Sequence, residues 1–300
     1  MKTKEIDLGS LADLIAKGPH GKEKQEKQAE AISRLQQTLM LMYKRQKPYE
    51  VPVKSDGNRI LFGLIGDTQI GSLYQQKDAV TAFYTRCAEE GVKEVLHTGD
   101  VLDGWKVYKG QEFELRPDGK SWPEQKALFV NEMPKITGMK TIFITGNHDA
   151  SFKNLVGLVV GDELSQARPD WKFVGQDVGD VTLQTENGQA FRVRLLHPGG
   201  GTAYAVSYHA QKIVEAMSGG QKPDLLAIGH YHKAVYMPQY RNVACLETGC
   251  FQSQTPFMVR QSLAAHVGGW IITAYLNDRK KLTNRIQAEW IGFFEEQKTA

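Results

Sequence analysis

Five short polar fragments, each placed directly after an apolar run, constrain this 300-residue chain more than any other feature. They are Gly66-Asp67-Thr68-Gln69, Gly99-Asp100-Val101-Leu102-Asp103, Gly146-Asn147-His148-Asp149, His197-Pro198-Gly199 and Gly229-His230-Tyr231-His232. The runs before them, 60–65, 94–96, 141–144, 191–196 and 225–228, read as strands. Side chains at the carboxyl ends of successive strands converge in space although they lie far apart in sequence. Here they offer Asp, Gln, Asp, Asn and three His, all oxygen or imidazole-nitrogen donors. That mix suits a pair of divalent transition ions.

Helical stretches alternate with the strands at 77–90, 122–136, 152–165 and 203–217, which makes the fold class layered α/β. Residues 1–56 are polar and helix-favouring, with helices expected at 11–17 and 23–44, and the segment 48–57 reads as a turn-rich linker. The expected organisation is therefore a helical basic extension, 1–56, followed by a catalytic unit, 57–300. Gly269–Leu276 and Arg285–Gly292 read as a late hairpin on the second sheet, with Asn277-Asp278 in its loop.

Residues 1–60 hold twelve Lys/Arg against eight Asp/Glu, a net of +4, whereas the other 240 residues hold 25 against 26. The basic excess is compatible with nucleic acid bound through residues 1–60, and equally with a solvated amphipathic helix or an oligomerisation arm. No run is long and apolar enough to span a membrane, and the N-terminus lacks a signal-peptide core. Cys87, Cys245 and Cys250 are few and odd in number, which fits packed thiols in a reducing cytoplasm. The sequence does not set the oligomeric state.

The ordered set Asp-x-Gln, Gly-Asp-x-x-Asp, Gly-Asn-His-Asp, His and Gly-His-x-His resembles the calcineurin-like metallophosphoesterase family over roughly residues 58–255. The resemblance implies a two-sheet sandwich flanked by helices, a dinuclear metal centre between the sheets and cleavage of phosphate esters. It implies that Asp67, Gln69 and His232 hold a first ion, that Asn147, His197 and His230 hold a second, and that Asp100 bridges both. A bridging hydroxide would then be the nucleophile. His148 would give a proton to the leaving alkoxide, with Asp103 accepting from it and holding its tautomer. Asp149 is expected to be a structural hydrogen-bonding residue.

Gln69 departs from the pattern, because the family's first motif usually reads Asp-x-His. An amide oxygen is harder and weaker than imidazole, so the first site should lean toward Mn²⁺ or Mg²⁺ over Zn²⁺. Two divalent ions are expected, Mn²⁺ foremost, with Mg²⁺, Fe²⁺ and Zn²⁺ as alternatives. Protein Ser/Thr phosphatases of the superfamily carry Arg after Gly-Asp-x-x-Asp and Glu after Gly-Asn-His, where this chain has Gly104 and Asp149. The pattern is similar to the phosphodiesterase and DNA-nuclease branch, phage-encoded relatives included. A small-molecule phosphatase, a cyclic-nucleotide phosphodiesterase and a weakly active metal-binding scaffold are the alternatives. The stretch 105–124, with Tyr108, Phe113 and Trp122, is expected to wall the cleft, its aromatics stacking a base or covering core. His97 reads as a near-core residue, and His209 as a packing or surface one. His20 and His266 have no partner motif. Gly199–Gly201 reads as a turn or as backbone open to a phosphate.

Overall fold

The computed structural model describes residues 47–56, 58–201, 205–276 and 285–294. The helices expected at 11–17 and 23–44, and the Asn277-Asp278 loop, lie outside the described residues. In chain order the strands are β1 (Tyr49–Val53), β2 (Arg59–Ile65), β3 (Glu94–His97), β4 (Lys140–Thr145), β5 (Trp171–Gln176) and β6 (Val178–Thr185). They continue with β7 (Ala190–Leu196), β8 (Leu225–Ile228), β9 (Ala234–Tyr240), β10 (Val243–Thr248), β11 (Gly268–Tyr275) and β12 (Arg285–Gly292). The helices are α1 (Lys77–Glu89), α2 (Trp122–Glu132), α3 (Asn147–Val156), α4 (Val160–Ala167), α5 (Tyr208–Ala216) and α6 (Pro256–Arg260).

Two six-stranded sheets result, in the orders β12-β11-β2-β3-β4-β5 and β1-β6-β7-β8-β10-β9. In β2 the alternation is decisive. Ile60, Phe62 and Leu64 face the other sheet, where they meet Leu183, Phe191, Val193 and Leu246 in one core. Ile65 faces outward onto α1, where Phe83 and Cys87 join a second core. A strand covered on both faces has few polar positions to show, and each fully buried Phe or Leu stabilises by roughly 1.5–3 kcal/mol. On the far side α5 lays Ala210 and Val214 on Leu226, Ile228 and Cys245. The layers therefore run helix, sheet, sheet, helix.

Several boundaries differ from the sequence expectation. The segment read as a linker contains β1, which pairs in parallel with β6 and buries Val51 and Val53. Pro52 is tolerated there because β1 is an edge strand. Residues from Pro48 on accordingly belong to one compact unit with the two sheets. The late hairpin extends the sheet that holds β2, because β11 pairs antiparallel with β2 and sets Trp270, Ile272 and Ala274 into the inter-sheet core. α2 ends at Glu132 because Pro134 pushes Met133 to an extended ψ of 130°. The single helix expected at 152–165 is two helices, separated where Gly157 takes a left-handed φ of 72°. α5 begins at Tyr208, five residues later than expected.

Candidate metal centre

Asp67, Asp100, Asn147, His197 and His230 follow the carboxyl ends of β2, β3, β4, β7 and β8. Those ends lie on one side of the sandwich because β2, β3 and β4 run parallel, as do β7 and β8. The chain turns sharply at five of the seven donor positions. Asp67, Gln69, Asp100, His230 and His232 all have positive φ, between 48° and 76°. Non-glycine residues rarely adopt that region, and such strain concentrates where side-chain placement overrides local preference. Space is equally tight: a Cβ on Gly146 would collide with the Asp100 carboxylate and the His197 ring.

The seven expected donors form two adjoining groups. In one, donor atoms of Asp100, His197 and His230 all lie within 4.8 Å of one another. His197 Nε2 is 3.1 Å from Asp100 Oδ2 and 3.1 Å from Asn147 Oδ1. In the other, His232 Nε2 is 3.3 Å from Asp67 Oδ1, and Gln69 Nε2 donates to Asp100 Oδ2 at 3.3 Å. Asp100 therefore touches both His197 and Gln69. Gln69 Oε1 and His232 Nδ1 are buried without a hydrogen-bond partner. Buried polar atoms are normally satisfied, so an orphaned amide oxygen on a side chain that touches Asp100 fits a cation ligand.

Main-chain carbonyls fix the rings. His197 Nδ1 donates to Thr98 O at 2.9 Å, and His230 Nε2 donates to Gly200 O at 2.7 Å. Each contact leaves a lone pair on the opposite nitrogen, the arrangement a metal-ligating histidine uses. The Gly199–Gly201 turn thus supplies a carbonyl to His230. Thr98 is itself tied to Thr248 by a 2.9 Å hydroxyl contact across the two sheets. His148 Nδ1 donates to Asp103 O at 2.7 Å, whereas the Asp103 carboxylate is 3.9 Å away. Asp103 meets His148 through its carbonyl rather than its side chain. Its carboxylate accepts from Gln111 Nε2 at 3.2 Å and Gln252 Nε2 at 3.3 Å.

Electrostatics follow from this burial. Desolvation resists ionising Asp100, but His197 and His148 outweigh it and hold the carboxylate below its ordinary range. Burial likewise resists charging His197, and Asp100 overrides it, so His197 is raised. The proton His197 takes there is a charge that a bound cation can replace. For His230 burial prevails, with His197 adding to it, and the pKa falls. For His232 the effects of Cys250 and Asp67 exceed burial and raise it. Burial pushes Asp103 up to about 6. Asp149, raised by burial and by Asp100, accepts from the amides of Gly146, Val101 and Leu102 and so locks two motifs together. His97 is buried, contacts Thr68 and accepts from Gly99 N, and burial lowers it to about 3, so it packs outside the donor groups.

The 105–124 stretch divides its aromatics. Tyr108 approaches His148 at 6.1 Å between ring centroids, Trp122 packs on Phe152, and Phe113 is exposed. Gln111, Gln125 and Gln252, all buried, carry the surrounding hydrogen bonds. No spacing or motif marks them in the sequence.

The chain is similar to several known proteins. The small subunit of DNA polymerase II from Halobacterium salinarum is 26% identical over 237 residues, covering 68% of this chain and 46% of that protein. The chain thus spans about half the length of the curated relatives it matches. Among solved structures, zinc-complexed Vps29 from Entamoeba histolytica has 15% identity and a TM-score of 0.36, covering 78% of this chain and 99% of Vps29. GAP50 of Plasmodium has 12% identity and a TM-score of 0.43, with coverage of 80% and 90%. Among the described residues no helix is long and apolar enough to cross a membrane. The profile of the calcineurin-like phosphoesterases matches residues 60–234, and the chain belongs to that family of metal-dependent phosphoric ester hydrolases.

Proposed function

We propose that this phosphoesterase is a phosphodiesterase acting on nucleic acid with two divalent ions, Mn²⁺ foremost. Asp67, Gln69 and His232 hold one ion, Asn147, His197 and His230 hold the other, and Asp100 serves both. When bound, such ions neutralise phosphate charge and lower the pKa of a water enough to make a nucleophile near neutral pH. The chain's own residues do the rest. Asp100 supplies the shared negative charge. His148, its Nδ1 hydrogen held by the Asp103 carbonyl, turns Nε2 toward the leaving oxygen and gives it a proton.

The observation that carries the diester reading is Gly104. In the superfamily's protein phosphatases an arginine at this place clamps a phosphate dianion. Here Gly104 has a φ of 75°, and a Cβ would collide with the His148 carbonyl. Gln125 accepts from Gly104 N at 3.0 Å and donates to Gly104 O at 2.8 Å. The local backbone thus excludes the clamp. A diester carries a single negative charge on the reacting phosphate and has less need of one. The DNA polymerase subunit among the relatives favours nucleic acid as the diester.

The expected result is a higher kcat/KM for bis-p-nitrophenyl phosphate than for p-nitrophenyl phosphate, with cleavage of DNA or RNA. A faster monoester combined with no cleavage of either polymer overturns the reading and leaves a small-molecule phosphatase.

Two further outcomes follow from the same reading. Gln69→His restores the commoner donor, so the first ion binds several-fold tighter and Zn²⁺ gains on Mn²⁺. Metal titration that shows neither change removes Gln69 from the ligand set. Residues 1–46 hold nine Lys/Arg against six Asp/Glu, a net of +3. Removing them, while keeping β1, is expected to weaken polynucleotide binding and flatten its salt dependence, since fewer counterions are released. Hydrolysis of small diesters persists, because every proposed ligand lies beyond residue 66. An unchanged salt slope assigns nucleic-acid contact to the catalytic unit alone.

A further inference from the structure

Beside His148 lies a feature that metal chemistry does not require. Tyr108, from the 105–124 stretch, and Phe257, from α6, stack with ring centroids 4.4 Å apart and planes 24° from parallel. Tyr108 also meets the His148 ring at 6.1 Å and 63°. One buried carboxylate sets the pair: Glu114 Oε2 accepts from Tyr108 OH at 2.7 Å and Oε1 accepts from Phe257 N at 3.0 Å. Glu114 is 5% exposed, so two separate segments are pinned by a single desolvated acceptor. Its carbonyl accepts from Leu73 N at 2.8 Å, which brings in a third segment. Around this node Leu73, Phe113 and Val259 remain exposed, at 53%, 81% and 59%. Lys106, Lys109 and Arg260 are exposed on the same two segments.

We propose that the Tyr108–Phe257 pair is a subsite for the nucleobase of the leaving nucleoside. The inference rests on the reading of His148 as proton donor to the leaving oxygen, because that places the leaving group on the His148 side of the phosphate. Aromatic rings on segments that also carry exposed cations match a nucleotide: a flat π-face to stack, with charges for the flanking phosphates. Stacking tolerates any base, so the subsite confers a demand for a base without a sequence preference. Glu114 is the positioning residue, since holding both rings in place lowers the ordering cost of binding.

The test is competitive inhibition of bis-p-nitrophenyl phosphate hydrolysis by adenosine 5′-monophosphate and by ribose 5-phosphate, using the full chain with Mn²⁺. The two share the phosphate and sugar and differ in the base. The wild type is expected to bind the nucleotide about tenfold more tightly than the sugar phosphate, in keeping with base–aromatic stacking. Tyr108→Leu and Phe257→Leu are expected to bring the ratio to near one, and Tyr108→Phe, which keeps the ring but loses its bond to Glu114, to give a ratio between those of the wild type and the leucine variants. Each ratio is internal to one preparation, so a loss of folded protein does not imitate the effect. A wild-type ratio near one, or a ratio unchanged in both leucine variants, overturns the subsite. DNA cleavage is scored separately. A ratio that collapses as expected in an enzyme that cuts no DNA keeps the subsite and discards the nuclease reading, and cleavage with a flat ratio does the reverse.

Discussion

Asp100→Asn is expected to lower kcat/KM on bis-p-nitrophenyl phosphate by on the order of 10³-fold or more, since metal charge stabilisation is worth several kcal/mol. Asparagine keeps the shape and can still accept from His148 N, which reaches Asp100 Oδ1 at 2.9 Å. It cannot supply the negative charge that the carboxylate sets against His197 and Gln69. Two cations about 3.5–4 Å apart repel strongly unless an anion is shared, so the variant should also lose metal. Metal analysis after Mn²⁺ reconstitution should give about two ions per chain for the wild type and one or fewer for the variant. Retained activity with both ions present would remove Asp100 from the bridging role. A wild type that never exceeds one ion under saturating Mn²⁺ points instead to Gln69 as too weak a donor.

The placement of the candidate donors was legible in the sequence, because polar turns after strands are local features. The apolar runs before Asp67, Asp100, Asn147, His197 and His230 are β2, β3, β4, β7 and β8, and their order places the donors at one end of the sandwich. Features that depend on distant partners were not. β1 carries Pro48 on one flank and Pro52 within it, so local chemistry argues for a turn, and only pairing with β6 makes it a strand. Gly146-Asn147-His148-Asp149 opens α3, with Asp149 accepting from Gly146 N, although the helix was expected to begin only at residue 152. Gln111 and Gln252 both reach the Asp103 carboxylate although 141 positions separate them, and no periodicity joins them. The Tyr108–Phe257 stack likewise exists only through Glu114.

His148→Ala is expected to cut the rate on diesters with strongly basic leaving groups by about 10²–10⁴-fold, the range of general acid catalysis, and to spare p-nitrophenyl esters. The nitrophenolate departs without a proton, whereas a ribose oxygen does not. The structure makes His148 apt for this. Its Nδ1 is committed to the Asp103 carbonyl at 2.7 Å, so the transferable proton sits on Nε2, which lies 3.9 Å from Asp100 Oδ2 at the edge of the donor groups. Metal content should be unchanged, since His148 is not among the proposed ligands. Because the holding contact is a main-chain carbonyl, Asp103→Asn should preserve it and cost much less than His148→Ala. Its carboxylate serves Gln111 and Gln252, and an asparagine oxygen can still accept one of those bonds. The two variants therefore separate orientation from proton transfer. An equal loss on nitrophenyl and ribose esters in His148→Ala would leave His148 only the stabilisation of charge on the phosphate. An Asp103→Asn defect as large as that of His148→Ala would return the orienting role to the carboxylate.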